Sequence, residues 1–220
     1  TLARGPSPGD PGNLGSYPFF WTRTDIAYAS SSDTWAAVGP AGYYSVSTDG
    51  GQTWTEGTDF SFNYYEATTY SAEKETLANV AINGYTSTGP GTAFFNGTVV
   101  EASLFGVAYG DGQFLAVGER GLIVLSDDGR GWLVLAPPQG ADAVYDFVAD
   151  FGDLSLALTE DALFVDDGTG WRDAGFAHRG LAVAYGEGQY LMVGRGGYRA
   201  RSTDGLNWTE LEAGSGRSEE

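Results

Sequence analysis

Short apolar runs separated by Gly, Asp and Ser return along this chain with a period of about forty residues. Three copies align closely. Ile26-Ala27-Tyr28 precedes Trp35-Ala36-Ala37-Val38-Gly39, Val107-Ala108-Tyr109 precedes Phe114-Leu115-Ala116-Val117-Gly118, and Val183-Ala184-Tyr185 precedes Tyr190-Leu191-Met192-Val193-Gly194. Each second run leads into a short turn ending at Gly42, Gly121 or Gly197. A third run, a Ser-x-Asp-Gly box and a fourth run led by Trp follow. Two weaker copies fill the gaps. One goes from Thr69-Tyr70 through Leu77-Ala78-Asn79-Val80 to Phe94-Phe95-Asn96-Gly97, the other from Val148-Ala149-Asp150-Phe151 through Leu156-Ala157-Leu158 to Trp171.

The box tryptophans, Trp54, Trp132, Trp171 and Trp208, are 78, 39 and 37 residues apart. The double gap puts a missing copy near position 93, where Phe94-Phe95 stands. The equivalent aromatics Tyr28, Tyr70, Tyr109, Phe151 and Tyr185 follow one another at 42, 39, 42 and 34 residues. Helical spacing is poor throughout; only Glu66 to Ala78 would suit a helix, and its alignment with the other copies favours strands. Four antiparallel strands in ~40 residues is the unit of a propeller blade. The pattern therefore predicts an all-β fold, a β-propeller of about five four-stranded blades over residues 18–212. A β-sandwich would not explain the period. Runs apolar at every position, such as Phe114 to Val117 and Tyr190 to Val193, suit strands buried on both faces between neighbouring sheets. Residues 1–17, rich in Pro and Gly, read as a flexible or extended arm, and residues 213–220 as a disordered acidic tail.

The box comes in three good copies and one frayed one. Ser47, Asp49, Gly51 and Trp54 form the longest; Ser126, Asp128, Gly129 and Trp132, and Ser202, Asp204, Gly205 and Trp208, are one residue shorter. The frayed copy keeps Asp167, Gly168 and Trp171 but has Val165 in place of the serine. Ser and Asp side chains accept bonds from backbone N–H groups just ahead, which closes a tight turn. The glycine supplies φ > 0, and the indole covers the turn while its N–H seeks a nearby carbonyl. This is folding chemistry, and it touches no substrate.

The boxes resemble the Asp-box, or BNR, repeat of the sialidase-like superfamily. That family includes sialidases, sortilin-type receptors, some glycoside hydrolases and photosystem II assembly-factor-type propellers. The likeness spans roughly residues 24–212, and in style the chain is similar to the bacterial assembly-factor-type and BNR-repeat propellers. It implies the propeller and leaves function open, because the family spans enzymes and pure binders. A sialidase of the family would carry an early Arg-Ile-Pro motif, three arginines around a carboxylate, a Tyr–Glu nucleophile pair and an acid–base Asp. The Arg-Ile-Pro motif is absent here.

Composition removes further chemistry. Without cysteine there are no disulfides, thiolate metal sites, Cys nucleophiles or covalently attached c-type haem. A single histidine, His178, excludes a two-histidine zinc motif and reads as a solvated loop residue. Acidic groups such as Asp150, Asp153, Asp166 and Asp167 lack the spacing of a calcium loop. No cofactor, metal or catalytic residue is assigned. The formal charge of −18 repels phosphate backbones and anionic lipid, so nucleic acid is not an expected partner. No apolar run approaches the ~20 residues of a membrane span. The chain begins at Thr1, which suggests processing and a secreted or periplasmic location.

Two groups remain as a candidate binding surface. Tyr43-Tyr44 and Tyr64-Tyr65 offer flat aromatic plates suited to a protein partner or a sugar. Arg195, Arg199 and Arg201 cluster late in the chain, and strand alternation puts Arg199 and Arg201 on one face. Trp21-Thr22-Arg23 resembles the start of a fourth strand although every repeat already has one, so residues 18–23 are expected to overlie the last sheet or to exchange with another chain. The expected function is non-catalytic binding or assembly with a protein partner. The alternative is a carbohydrate-binding propeller or glycoside hydrolase.

Overall fold

The computed structural model describes residues 23–58, 63–89, 95–96, 101–135, 143–178 and 180–211. Among them, twenty strands form five four-stranded antiparallel sheets in which chain neighbours are also spatial neighbours. The first sheet holds β1 (Asp25–Ala29), β2 (Thr34–Val38), β3 (Tyr43–Ser47) and β4 (Thr55–Thr58). The second holds β5 (Tyr65–Ser71), β6 (Thr76–Ala81), β7 (Thr86–Gly89) and β8 (Phe95–Asn96). The third holds β9 (Leu104–Gly110), β10 (Gln113–Gly118), β11 (Ile123–Ser126) and β12 (Leu133–Val134). The fourth holds β13 (Phe147–Asp150), β14 (Ser155–Leu158), β15 (Ala162–Asp166) and β16 (Arg172–Ala177). The fifth holds β17 (Gly180–Gly186), β18 (Gln189–Gly194), β19 (Arg199–Ser202) and β20 (Thr209–Glu210). The fold is a β-propeller of five such sheets.

The strands fall where the period puts them. β8 lies at the missing copy and pairs with β7 through Ser87↔Asn96 and Thr88↔Phe95. Glu66 to Ala78 is divided between β5 and β6, so β-pairing prevails over its helical spacing. Where β17 meets β18, Gly186 pairs with Gln189 around Glu187-Gly188, whose φ values of 51° and 76° give the two-residue turn matching the twist of a hairpin. The expected arm (1–17), the acidic tail (213–220) and residues 18–22 of the surplus strand lie outside the described residues. Arg23 is described: its Nε donates to Ser45 Oγ at 2.7 Å, and its guanidinium pairs with Glu56.

The chain divides into two compact units. One comprises residues up to Leu104 together with Ser126–Trp132, the other Phe105–Leu125 with residues from Leu133 onward. Within each, successive sheets pack face to face. In the first unit Val38 meets Tyr65 and Ala81, and Asp25 reaches across to accept the Thr68 N–H at 2.9 Å. In the second, Leu115, Val117 and Ile123 on the forward face of the third sheet meet Tyr145, Val148, Ala157 and Phe164 on the backward face of the fourth. The forward face of the fourth sheet, Leu156, Leu158, Leu163 and Val165, meets Val183, Met192 and Ala200 of the fifth. Burial on both faces explains why β10 and β14 are apolar at consecutive positions.

A backbone clasp joins the first repeat to the second and the third to the fourth. The Gly42 N–H donates to Asn63 O at 2.7 Å, and the Tyr65 N–H returns to Gly39 O at 3.3 Å. The same exchange recurs from Gly121 to Ala143 O at 2.6 Å and from Tyr145 to Gly118 O at 3.1 Å. Tyr65 and Tyr145 are buried where each clasp closes. Truncating Leu156, which is fully buried between the fourth and fifth sheets, is expected to cost about 3 kcal/mol. Leu191→Ala, at the equivalent place on the fifth sheet, is expected to cost under about 1 kcal/mol. Urea unfolding of the two variants measures the difference.

Candidate functional site

The turns between third and fourth strands are closed by their own side chains. Ser47 Oγ donates to Asp49 Oδ1 at 2.8 Å and accepts the Gly51 N–H at 2.9 Å. Asp49 Oδ1 accepts from the Gln52 and Thr53 N–H groups, and Oδ2 from the Thr53 hydroxyl at 2.6 Å. Ser202 and Asp204 repeat the arrangement with Gly205, Leu206 and Asn207, and Ser126 and Asp128 with Gly129, Arg130 and Gly131. Trp54 and Trp208 donate their indole N–H to Gly51 O and Gly205 O at 3.1 and 2.8 Å. Trp132 departs from this, donating instead to the Thr86 hydroxyl at 3.1 Å. Gly205 is required twice over: its φ is 72°, and a Cβ there would lie 2.2 Å from the Leu154 side chain.

The frayed box has a different register from the one its sequence suggests. Asp166 pairs with Ser155, as Ser202 pairs with Tyr190 and Ser47 with Trp35. Asp166 therefore occupies the serine position, and Val165 belongs to the strand core. Its carboxylate accepts the Gly168 and Gly170 N–H groups at 2.9 and 3.0 Å. Asp167, one residue on, accepts from Thr169 and takes a bidentate grip from Arg172 at 2.8 and 2.7 Å.

These bonds hold the carboxylates ionised. The hydroxyl and N–H of Thr53 and the Ser47 hydroxyl bring Asp49 down to about 2. Arg172 depresses Asp167, Asn207 depresses Asp204, and the Arg130 N–H lowers Asp128. A carboxylate committed in this way is a poor proton donor or acceptor near neutral pH.

The four tyrosines do not form one surface. Tyr64 is 50% exposed, whereas Tyr65 is 2% exposed and closes the first clasp, contrary to its expected role as a surface plate. Tyr43 and Tyr44 are half-buried; the Tyr44 ring lies across Gly57, where a Cβ would come within 2.4 Å of it. His178 is also unlike the solvated residue the sequence suggests. It is 5% exposed, its Nδ1 accepts the Gly180 N–H at 2.9 Å, and its ring stacks on Phe176. Burial lowers its pKa, against opposing contributions from the Ala162 backbone and Asp161.

The arginines lie at the fifth sheet. Arg195 is exposed on the turn after β18 and its charge acts on Asp146, whose carboxyl is nonetheless raised by desolvation. Arg199 and Arg201 are exposed on one face of β19, with buried Ala200 between them. Beside them Leu191 and Val193 are 50% and 52% exposed. This departs from the expectation that Tyr190 to Val193 is covered on both faces: only the Met192 face is covered. Residue type alone hid these two positions, because Leu191 and Val193 match the buried Leu115 and Val117.

Neither a protein-family model nor a curated protein matches the chain. Solved structures do. YCF48 bound to a D1 peptide superposes with a TM-score of 0.69 at 18% identity, over 89% of this chain and 70% of that one. YCF48 from Cyanidioschyzon merolae gives 0.68 at 14%, over 91% and 75%. A chain of the nidogen/laminin complex gives 0.67 at 10%, over 86% and 78%. At these identities the likeness establishes the β-propeller fold.

Two expectations follow from the turns and from His178. Asp166→Ser should retain stability to within about 0.5 kcal/mol and Asp166→Ala should lose about 1 kcal/mol, because an acceptor at that register is what the turn needs. Urea midpoints test this. The pH dependence has two windows. An unfolded His titrates near 6.5 and the folded His178 below it, so its contribution is complete above about pH 6.5 and is lost as pH falls through the depressed value. Asp49 titrates near 2 when folded and about 3.9 when unfolded, so its contribution is complete above about pH 4 and is lost towards pH 2. Between about pH 7.5 and pH 5.5 the wild type should lose more stability than His178→Gln.

Proposed function

We propose that this chain is a non-catalytic binding and assembly module of extracytoplasmic location. Its boxes are of the Asp-box (BNR) class, and it engages a protein partner. The observation that carries the reading is the open surface of the fifth sheet, where Leu191 and Val193 stand half exposed beside Arg199 and Arg201. A contiguous apolar surface edged by arginine is the composition of a protein interface rather than of a solvated sheet. The commitment of the box carboxylates to their own turns supports a scaffold role for them. Among similar structures, one is of YCF48 bound to a D1 peptide and another of a nidogen/laminin complex, so this architecture serves protein recognition elsewhere.

Glycan recognition is the second reading, and it rests on the exposed Tyr64 ring. The immobilised protein is offered to extract and envelope fractions of its source cells, and in parallel to a glycan array and a hydrolase substrate panel. The expected result is one saturable protein partner, recovered from the extracytoplasmic fraction, with no glycan retained and no turnover. Saturable glycan binding or hydrolysis without a protein partner would reverse the order of the two readings.

A further inference from the structure

Two of the joints between repeats are closed by backbone alone: the Tyr65 and Tyr145 N–H groups donate to Gly39 O and Gly118 O of the preceding repeat. The joint from the fourth repeat to the fifth is closed differently. Gly180 stands at the register of Tyr65. Tyr65 pairs with Ala81 and Ala67 with Val80 across an irregularity, and Gly180 pairs with Gly194 and Ala182 with Val193 across the same one. The Gly180 N–H, however, donates to His178 Nδ1 at 2.9 Å. An imidazole nitrogen has taken the place of the carbonyl.

Local sequence accounts for the exchange. The turns after β2 and β10 run from Gly39 to Gly42 and from Gly118 to Gly121, and each offers a glycine N–H to the incoming chain. The turn after β14 is Thr159-Glu160-Asp161-Ala162 and closes on itself. Thr159 donates its N–H to Ala162 O and takes the Ala162 N–H on its hydroxyl, both at 3.0 Å. What it offers the incoming chain is Asp161 O, which accepts the His178 N–H at 3.3 Å. A tyrosine could not stand at 180, because a Cβ there would lie 2.3 Å from Met192 Sδ. His178 is buried instead, its ring stacked on Phe176 with centroids 6.2 Å apart. Since Nδ1 accepts, the neutral ring carries its proton on Nε2, which is buried with no hydrogen-bond partner among the described residues.

We infer that His178 is a proton-operated latch on the entry to the fifth repeat: a proton on Nδ1 turns the acceptor of the Gly180 N–H into a donor and releases the connection from β16 to β17. Both nitrogens of an imidazolium are donors, so turning the ring over does not restore the bond. Carbonyl oxygens take up no proton in this range, so the joints at Tyr65 and Tyr145 stay shut. Around the ring, the turn after β14 brings Asp161 and the Ala162 backbone, which favour the charged form, and burial outweighs them. Phe176 of β16, Gly180 of β17 and Met192 of β18 bring no charge. Arg179 lies outside the described residues and is common to the wild type and the variant used below.

The sign of the effect follows. The open form titrates near 6.5 and the closed form below it, so acidification between these values favours opening. Asp25, Glu66 and Asp146 have carboxyls raised by desolvation, and acid stabilises their folded form, the opposite direction. The latch does not depend on which partner the protein binds.

Backbone hydrogen exchange of the full chain, normalised for the intrinsic rate at each pH, tests the inference. Between pH 7.5 and pH 5.5 the segment 176–186 should open at least about threefold more often, with a ceiling of about tenfold set by the titration of an exposed histidine. Segments 63–71 and 143–150 should not change. His178→Gln keeps an acceptor that does not titrate and should hold segment 176–186 equally closed at both pH values. Nitrogen NMR of the wild-type ring supplies a second readout that needs no variant: Nδ1 should be unprotonated at pH 7.5, and the Gly180 amide should shift with the midpoint of the ring. An unchanged segment 176–186, an equal response in His178→Gln, equal opening of all three segments, or a neutral ring protonated at Nδ1 would each overturn the latch.

Discussion

A sheet that is apolar on both faces is stable only between two others, and this constraint organises the chain. It explains why β10 and β14 are apolar at consecutive positions rather than at alternate ones, and why the first repeat is tied to the second, and the third to the fourth, by backbone bonds as well as by side chains. Tyr65 and Tyr145 stand at the joints, where their N–H groups and rings fix the entry of the next sheet. The fifth sheet satisfies the constraint on one face only. On the other, arginines replace half of the aliphatic set, which lowers the cost of exposure without abolishing the apolar surface.

The boxes belong to a separate layer of the design. Their carboxylates meet the backbone demand of a tight reversal, and the same bonds that close the turn keep them charged. Asp166 shows that the requirement is for an oxygen acceptor at one register and not for serine as such. Recognition is thereby left to surfaces the turns do not use.

The period, the strand count and the box turns were legible because each is a local pattern repeated at fixed spacing, with tryptophan and glycine as markers. The site was less so. Tyr64 and Tyr65 are neighbours of one residue type, and only the clasp separates the exposed ring from the buried one. His178 precedes a strand in a segment that looks like an ordinary connection, and its burial depends on Phe176 and Gly180. Leu191 and Val193 carry no local sign of exposure; whether a sheet covers them is a property of what comes next in space. The one available signal was the contrast between Arg199 and Arg201 and the Leu163 and Val165 of the preceding repeat, and it becomes readable only once the register is known.

The account turns on whether that face is open in the free protein. Because the chain has no cysteine, a single introduced thiol reports one position without background. Leu191→Cys and Leu156→Cys stand at equivalent places on the fifth and fourth sheets, and their reaction with a water-soluble disulfide reagent under native conditions can be timed directly. The account predicts that the thiol at 191 reacts at least about a hundredfold faster than the thiol at 156, whose exposure requires local opening. Equal protection of both would mean that the face is already covered within the free chain, and would contradict it.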